Sequence, residues 1–232
     1  MKLGIMQPYF LPYIGYFQLI AAVDTFILYD NVKYTKKGWI NRNRMYQRGK
    51  DAIFSLPLKS ASDTLDIGQR ELATDFSRDK LLNQFKGAYR SAPYFDQTFS
   101  LLEQIMQCEN ENLFGFIFQS IVMICKRLGI DTEIRVSSKI VIDHDLKGQE
   151  RVLALCDSLG ANVYINAIGG MTLYSKDVFQ ARGVELKFIK SKPIDYPQLG
   201  NNFVPWLSII DVMMFNHPEM CLRFLGEYEL AS

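Results

Sequence analysis

The first 44 residues alternate between short apolar runs and polar segments that contain proline. Leu3–Met6 is an apolar run of strand length, and the segment after it contains Pro8 and Pro12, which do not fit inside a helix. An apolar stretch of helical length, Tyr16–Val23, comes next, and Phe26–Tyr29 is a second short apolar run. The pattern predicts strand, loop, helix and strand in that order, which is a βαβ unit.

The loop between the first strand and the first helix is unusually aromatic for a connection. Because ligands bind outside the carboxyl ends of the strands in open parallel sheets, and because loops often carry sites, we expect this loop to bind a ligand. A packed turn whose aromatic rings cover the end of the sheet is the alternative. The candidate binding residues here are Gln7, Pro8, Tyr9, Gly15 and Tyr16.

A basic and aromatic segment follows the second predicted strand. Its loose alternation up to Tyr46, a turn at 48–51 and an apolar return predict a β-hairpin over Trp39–Lys59. Basic side chains here suit phosphate groups through charge-assisted hydrogen bonds. A solvated edge whose charges prevent strand pairing is the alternative. The candidate residues of this region are Asp30, Asn31, Tyr34, Lys36, Trp39, Asn41, Arg42 and Lys59, with Arg44 directed to the same end of the sheet.

The middle of the chain has helical periodicity. Apolar positions over Ser77–Ser91 fall on one face, Phe95–Met106 predicts a second helix, and Asn110–Leu128 predicts a strongly apolar third helix. Gly129 is placed to end that third helix. We therefore expect a helical block inserted at 76–129 within a single domain that covers residues 1–232.

The second half of the chain alternates between strands and helices. The predicted strands are Glu133–Val136, Asn162–Asn166 and Val184–Ile189, the last clear strand, and the predicted helices are Leu146–Leu159 and Thr172–Arg182. This alternation predicts an α/β fold with a doubly wound, mostly parallel, Rossmann-like sheet that carries the hairpin and the helical block as insertions.

Four further candidate binding residues follow the predicted strands of the second half. They are Ser138, Gly169, Gly170 and Tyr174. A glycine pair at the end of a strand permits positive φ or a close approach of the backbone to a ligand. A tight turn alone would explain the pair equally well.

The carboxyl-terminal part contains an acidic residue in an apolar environment. We expect a helix over Ser208–Phe215, with Ser208 as its cap. Asp211 lies among Ile, Val, Met and Phe residues, and a buried carboxylate must be paired or functional. A surface position on an amphipathic helix is the alternative.

Composition and charge exclude several classes of function. The chain has 232 residues, which suffice for a sizeable core, and its net charge of +1 does not suggest DNA binding. The early strand and polar interruptions argue against a signal peptide, and no apolar run is long enough for a membrane span. Four cysteines in apolar contexts indicate reduced core residues. We therefore expect a cytoplasmic protein.

The residue types also limit the chemistry. The two histidines lack metal-ligand or triad spacing, so a zinc site and histidine-based catalysis are not expected. The sequence has neither the GxxxxGK[ST] nor the GxGxxG phosphate-binding pattern. An enzyme with this sequence would act by positioning and charge stabilisation.

Several segments along the chain resemble the signature of the WbqC-like family. They are QPYFLPYIGYFQLI, FILYDNVKYTKKGWINRN, Ser137-Ser138, LGANVYINAIGG and LSIIDVMMFN. A departure is Asn216-His217-Pro218, where the family pattern has Asn-Cys-Gly or similar. The family occurs in bacterial O-antigen gene clusters, so the resemblance implies surface-polysaccharide (lipopolysaccharide) biosynthesis. The activity it implies is transfer of glycine to a sugar.

A second resemblance concerns only the first βαβ unit. LPYIGYFQLI is similar to the LHxGHxxLI pattern of nucleotidylyl transferases and pantothenate synthetases, with Pro12, Gly15 and Tyr16 at the pattern's His, Gly and His positions. In that comparison, Gly15 would let a phosphate approach the amino terminus of the helix. The fold would be nucleotidylyl transferase-like, and both pattern histidines are absent.

Together these resemblances imply an aminoacyl transferase or ligase that acylates the amine of a nucleotide-linked amino sugar. In the version with ATP and Mg²⁺, Gln7 and Tyr9 hold the substrate, and Asp30 or Asp211 orients the amine or takes its proton. The leaving phosphates would be stabilised by Arg42, Lys36 and Lys59, and a base or sugar ring would pack on Tyr34, Trp39 and Tyr174. Aminoacyl-tRNA or acyl-CoA as donor, or a non-catalytic nucleotide-sugar binding protein, are the alternatives. A homo-oligomer is compatible with the sequence.

Overall fold

The central strands of the main sheet are formed by short apolar runs of the sequence. A computed structural model describes residues 1–200 and 202–231. The strands are β1 (Lys2–Met6), β2 (Thr25–Leu28), β3 (Arg42–Gln47), β4 (Lys50–Ser55), β5 (Glu133–Val136), β6 (Val163–Ala167), β7 (Glu185–Ser191) and β8 (Tyr228–Ala231). The helices are α1 (Ile14–Ala21), α2 (Arg78–Tyr89), α3 (Phe95–Met106), α4 (Leu113–Arg127), α5 (Gly148–Leu159), α6 (Lys176–Ala181), α7 (Ile209–Phe215) and α8 (Pro218–Leu225).

Six strands form one sheet in the order β5-β2-β1-β6-β7-β8. All neighbours are parallel except β7 and β8, which are antiparallel. Numbered by their own order in the chain, these strands run 3-2-1-4-5-6, which is the Rossmann order. The predicted α/β class with a mostly parallel, Rossmann-like sheet is confirmed. The order reverses between β1 and β6, and a ligand site is therefore expected above their carboxyl ends.

The hairpin β3–β4 is separate from the main sheet, as the sequence predicts. Its turn contains Arg48 at φ 51° and Gly49 at φ 80°, a pair of positive values typical of a tight hairpin turn. The strand over 42–47 is not the exposed strand expected from its alternation, because Asn43, Met45 and Tyr46 are buried. Their burial follows from packing against α2 and α7.

The helices cover both faces of the main sheet. One buried cluster joins α1 and the helices α2–α4 to residues such as Phe26, Leu28 and Ile165, and a second joins α5 and α6 to Leu3, Ile5 and Ile27. All four cysteines are free and buried. In the part of the chain that the structure describes, no helix has the length and apolar character needed to cross a membrane.

Three carboxyl-terminal features differ from the sequence prediction. The stretch predicted as one helix over Thr172–Arg182 is a 3-10 helix (Ile168–Leu173) followed by the short α6. The chain is extended between them, at Tyr174 and Ser175, and the Ser175 N–H donates to Gln149 Oε1 at 2.6 Å. β7 is not the last strand, because α8 and the antiparallel β8 follow it. β8 is a polar edge strand and lacks an apolar run that would indicate it.

Candidate functional site

A cavity of about 210 Å³ opens where three separate segments meet. The loop after β1 supplies one wall, the hairpin and the residues before it supply the second, and the segment before α7 supplies the third. The lining residues are Tyr9, Pro12, Tyr13, Trp39, Asn43, Arg44 and Trp206. We call this cavity the aromatic pocket. The loop that contributes Tyr9 leaves the carboxyl end of β1, the strand at which the sheet order reverses.

Two exposed tryptophans dominate the walls of the aromatic pocket. Trp206 is 60% exposed and Trp39 is 41% exposed, although large aromatic side chains usually bury most of their surface. The ring of Tyr13 meets that of Trp206 edge to face, with 6.0 Å between centroids. The chain contains two tryptophans, and both line this pocket. Exposed, pre-arranged aromatic faces suit a sugar or base ring.

Arg44 supplies a positive charge at the rim. Its guanidinium carbon lies 5.6 Å from the centroid of the Trp39 ring, and its Nη2 donates to the Trp206 carbonyl at 3.1 Å. Its Nη1 lies 3.4 Å from Asp51 Oδ2. Arg44 therefore links both tryptophans, and an anionic group of a ligand could take the place of the Asp51 carboxylate on its guanidinium.

The backbone of the pocket is held in two unusual conformations. Leu11 and Trp206 have φ values of 46° and 61°, which side-chain-bearing residues rarely adopt. The Leu11 carbonyl accepts from Asn43 Nδ2 at 3.0 Å and from Ser208 Oγ at 2.7 Å. Strained residues of this kind persist where the surroundings fix them, and they concentrate at ligand sites. Asn43 thus fixes the loop while it lines the pocket.

Gly15 determines the position of the Tyr13 ring. A Cβ atom at Gly15 would lie 2.3 Å from Tyr13 Cε2 and 2.6 Å from Ser191 Oγ. The space beside Gly15 is therefore filled by the ring of Tyr13 in this structure, and burial raises the pKa of the Tyr13 phenol. The glycine is needed for close packing of the ring that forms one side of the pocket.

Gly15→Ala is expected to fold and to weaken ligand binding in the aromatic pocket. The added methyl group displaces the Tyr13 ring, and loss of one aromatic contact of about 1 kcal/mol lowers affinity by roughly five- to tenfold. Gly87→Ala is the matched control, because a Cβ there meets nothing within 4 Å. In a helix interior it should stabilise the fold by about 0.5–1 kcal/mol and leave binding unchanged. Calorimetric titration together with thermal unfolding separates the two effects, and unaltered binding in Gly15→Ala would refute the role of Tyr13.

The structure brings some sequence-predicted residues of the first loop to the pocket and buries others. Tyr9 lines the pocket. Tyr16 is buried against Phe26, and its hydroxyl donates to the Gln7 carbonyl at 2.8 Å, so Tyr16 fixes the loop from beneath. Pro8 is buried. Burial raises the pKa of both the Tyr9 and the Tyr16 phenols, so both remain protonated at neutral pH.

The predicted phosphate-binding side chains have protein partners outside the pocket. Lys36 pairs with Asp63 at 2.7 Å on the surface, and Lys59 pairs with Glu71 at 2.8 Å. Arg42 donates to the Gly38 carbonyl through Nε at 2.9 Å and holds the turn before the hairpin.

Two further candidates brace the base of the hairpin. The Tyr34 hydroxyl donates to Asn41 Oδ1 at 2.8 Å, and Asn41 Nδ2 donates to the Leu56 carbonyl at 2.7 Å. The guanidinium carbon of Arg70 lies 4.8 Å from the centroid of the Tyr34 ring. Of the hairpin-region residues singled out from the sequence, Trp39 and Arg44 line the pocket.

A second group of predicted residues gathers where β2 and β5 end. Asp30 Oδ1 accepts from the Ser138 N–H at 2.9 Å. Asn31 Nδ2 lies 3.0 Å from His144 Nδ1, and the Asn31 carbonyl accepts from Arg151 Nη1 at 3.2 Å. These contacts tie the ends of two neighbouring strands to α5. None of these residues lines the aromatic pocket.

A third group lies at the end of β6. The Tyr174 hydroxyl accepts from Asn166 Nδ2 at 3.0 Å, and burial raises the pKa of the Tyr174 phenol. A Cβ at Gly170 would meet that same Asn166 amide at 3.1 Å, whereas a Cβ at Gly169 would meet nothing within 4 Å. Gly170 is therefore required for packing, and Gly169 lies in an open turn.

Asp211 is buried, which settles one alternative left open by the sequence. Its Oδ2 accepts from the Tyr196 hydroxyl at 2.8 Å and from Gln198 Nε2 at 2.7 Å, and the Tyr89 hydroxyl is a further hydrogen-bonding neighbour of the carboxyl. Burial raises the pKa of the carboxyl from its usual 3.8 to about 6, although these hydrogen bonds oppose the rise. Gln198 in turn bonds both backbone groups of Val204, two residues before Trp206. Asp211 therefore positions the segment that carries Trp206.

Two pocket residues, Asn43 and Trp206, are not predicted as candidates from the sequence. Asn43 lies in the predicted hairpin beside Arg44, which is predicted to face this end of the sheet, but the burial of Asn43 depends on how the hairpin packs. Trp206 lies 162 residues from Arg44 in the chain. Two backbone hydrogen bonds bring the segments together. The Ser208 N–H donates to the Arg44 carbonyl at 2.8 Å, and the Ile209 N–H donates to the Pro12 carbonyl at 2.8 Å. In the sequence, the local indication of the wall that carries Trp206 is its Pro-Trp pair in a polar tail.

The amino terminus of α1 is not open to a phosphate in this structure. The approach to the amino terminus of α1 beside Gly15 is filled by the Tyr13 ring. Lys36 and Lys59 pair with carboxylates away from the pocket. Arg42 lies over the ring of Trp39, 5.6 Å from its centroid, and donates to the carbonyls of Gly38 and Lys37. Within residues 1–200 and 202–231, no group of three or more His, Cys, Asp or Glu side chains could hold a metal ion.

The comparison with known families agrees with the sequence resemblance. A model of the WbqC-like protein family matches residues 7–222, and the chain therefore belongs to the WbqC-like family. An uncharacterized protein of Mycobacterium tuberculosis (strain ATCC 25618 / H37Rv), Rv1507c, is 29% identical over 226 residues, covering 93% of each chain. No solved structure matches the chain.

Proposed function

We propose that the aromatic pocket binds a nucleotide-linked amino sugar and that the protein joins an amino acid, glycine, to the amine of that sugar in the biosynthesis of a surface polysaccharide. The observation that carries the binding part is the convergence of both tryptophans and Arg44 on one cavity. The reaction part is supported by family membership and by the resemblance of the motifs to that family.

The pocket residues match the parts of such a ligand. The faces of Trp39 and Trp206 suit the apolar face of a sugar ring or a base, since every base has a π-face that stacks on aromatic side chains. Arg44 suits the diphosphate through charge-assisted hydrogen bonds. The hydroxyl of Tyr13 can bond a sugar hydroxyl group, whereas the amide of Asn43 is used by the carbonyls of Phe10 and Leu11.

The transfer step forms an amide and needs an activated glycyl group. The sugar amine attacks the glycyl carbonyl carbon, the new C–N bond forms, the bond from that carbon to its carrier breaks, and the amine loses one proton. The carrier favoured here is a preformed donor, aminoacyl-tRNA or acyl-CoA, since the Tyr13 ring fills the space beside Gly15 where the version with ATP would place a phosphate. The proton that the amine loses and the proton that the leaving group gains would be exchanged with solvent, since no carboxylate lines the pocket among the described residues.

A non-catalytic nucleotide-sugar binding protein of the same pathway is the second candidate. The observation that favours it is the lining of the pocket: among the described residues, the seven that form it include no carboxylate, histidine or cysteine. A pocket of aromatic, amide and guanidinium groups can hold a ligand without transforming it.

Mass spectrometry of the sugar separates the two candidates. A nucleotide-linked 4-amino sugar is incubated with the protein and with glycine plus ATP–Mg²⁺, glycyl-tRNA or glycyl-CoA in parallel. A gain of one glycyl residue on the sugar with one of these donors supports the transferase, and the donor identifies the carrier. Saturable binding without any mass change supports the binding protein. Absence of both binding and mass change contradicts the proposed function.

A further inference from the structure

A second polar site lies away from the aromatic pocket and is centred on Arg151. Arg151 is the fourth residue of α5 and is 8% exposed. Its guanidinium carbon lies 5.2 Å from the centroid of the Tyr29 ring, and its Nη1 donates to the Asn31 carbonyl at 3.2 Å. Arginine is almost never buried to this degree without a partner for its charge.

Arg151 has no carboxylate partner among the residues that the structure describes. The neighbouring Glu150 reaches Arg182 instead, and Asp30 accepts from the Ser138 N–H. Burying an unpaired charge is costly, so a compensating anion is expected near such a group.

The free edge of the guanidinium has the geometry of a bidentate site. The two atoms of Arg151 that lack a partner are Nε and Nη2, and both are buried. These atoms form the side of the guanidinium that donates two parallel hydrogen bonds to a carboxylate or a phosphate. The other buried arginine, Arg70, also has an unpartnered Nε, but both of its Nη groups donate to carbonyls, those of Ser62 and Lys59, so it has no free pair of adjacent donors.

Other unpartnered polar groups lie in the same neighbourhood. The Ser137 hydroxyl and Asn31 Oδ1 are buried without partners among the described residues. The pairing of Leu28 with Val136 in neighbouring strands places Ser137 beside Tyr29, whose ring underlies Arg151. α5, a helix of twelve residues, has no side-chain cap at its amino terminus, so its first N–H groups and its dipole favour an anion there.

We propose that the Nε/Nη2 edge of Arg151, with the Ser137 hydroxyl and the amino terminus of α5, binds the oxyanion of a small ligand, either a carboxylate or a phosphate. The orphaned Asn31 Oδ1 would accept a hydrogen bond from the same ligand, as an amino group next to a carboxylate would provide. His144 Nδ1 lies 3.0 Å from Asn31 Nδ2 in an exposed segment beside the site. The site shares no residue with the aromatic pocket, so it stands whether or not that pocket binds a sugar.

Calorimetric titration at constant ionic strength tests the site with three probes: glycine, inorganic phosphate and pyrophosphate. Saturable binding of glycine identifies a carboxylate site, and preference for phosphate or pyrophosphate identifies a phosphate site. Ser137→Ala is the most informative variant. Its hydroxyl has no protein partner, so folding should be unaffected, while affinity should fall about fivefold through loss of one hydrogen bond to the ligand. Ser120→Ala, at a buried serine whose hydroxyl donates to the Ile117 carbonyl, is the control and should bind normally.

Arg151→Lys keeps the charge and removes the fork, and affinity should fall at least about tenfold. If this variant does not fold, an NMR titration of the unmodified protein serves as the test instead. The Nε–H resonance of Arg151 should then shift saturably with the same probe. No saturable binding of any probe overturns the proposal. Binding that leaves Ser137→Ala unaffected and the Arg151 Nε–H resonance unmoved also overturns it.

Discussion

Trp206→Ala is expected to weaken binding of a nucleotide-linked amino sugar about 30-fold. Stacking of a ring on an aromatic side chain contributes about 1–3 kcal/mol, and a loss of about 2 kcal/mol corresponds to about 30-fold in affinity. The side chain is 60% exposed and makes its main ring contact with Tyr13, so its removal should cost the fold little. Calorimetric titration measures the affinity, and thermal unfolding measures the stability.

Two comparison variants make this result specific. Trp206→Phe keeps an aromatic face and should retain most of the affinity. Leu222→Ala removes another exposed apolar side chain, on α8 and outside the pocket lining, and should bind as the unmodified protein does. Equal affinities for Trp206→Ala and Leu222→Ala would show that the ligand binds elsewhere.

Asp211→Asn is expected to abolish a loss of about 3 kcal/mol in the free energy of unfolding that the unmodified protein shows as the pH rises from 4 to above 6. Burial raises the pKa of this carboxyl from its usual 3.8 to about 6, and each pKa unit corresponds to about 1.4 kcal/mol. The folded state therefore binds this proton more tightly than the unfolded state does between about pH 4 and pH 6. The stability that the protonated carboxyl contributes is complete below pH 4 and is lost as the pH rises through 6. Asparagine cannot ionise and lacks this loss.

The measurement is chemical unfolding of both proteins from pH 4 to pH 8. The stability of Asp211→Asn relative to the unmodified protein should increase across this window and then become constant. Tyr196→Phe removes a hydrogen bond that lowers the pKa of Asp211. In the protein that retains Asp211, it should therefore move the pH range over which stability is lost to higher pH. In the Asp211→Asn background it should not move this range. A stability difference that is independent of pH would contradict the raised pKa.

The sequence predicts elements best where local pattern and tertiary role agree. Glu133–Val136 is a strand and Phe95–Met106 is a helix with the predicted bounds. The predicted Ser208 cap is confirmed, since its side chain accepts from the Ile210 N–H. β8 escapes prediction because an edge strand needs no apolar run, and its pairing with β7 depends on residues about 40 positions earlier.

The candidate site is harder to predict because its walls meet only in the fold. The aromatic loop after β1 and Trp39 are visible in the sequence as binding features, and both contribute to the pocket. The burial of Asp211 cannot be predicted from the sequence, because the pattern of its helix fits both a core and a surface position. Its partners Tyr196 and Gln198 lie in a segment without periodicity. The basic residues Lys36 and Lys59 match phosphate chemistry by type, but their neighbouring carboxylates are apparent only from the structure.

The most direct test of the account is a ¹H–¹⁵N titration that follows the indole N–H signals. The chain has two tryptophans and both line the aromatic pocket, so its spectrum should contain two indole signals, each reporting on the site. With a nucleotide-linked 4-amino sugar as titrant, both signals should shift together and saturate at one affinity. Binding that is detected calorimetrically while both indole signals stay in place would contradict the assignment of the pocket.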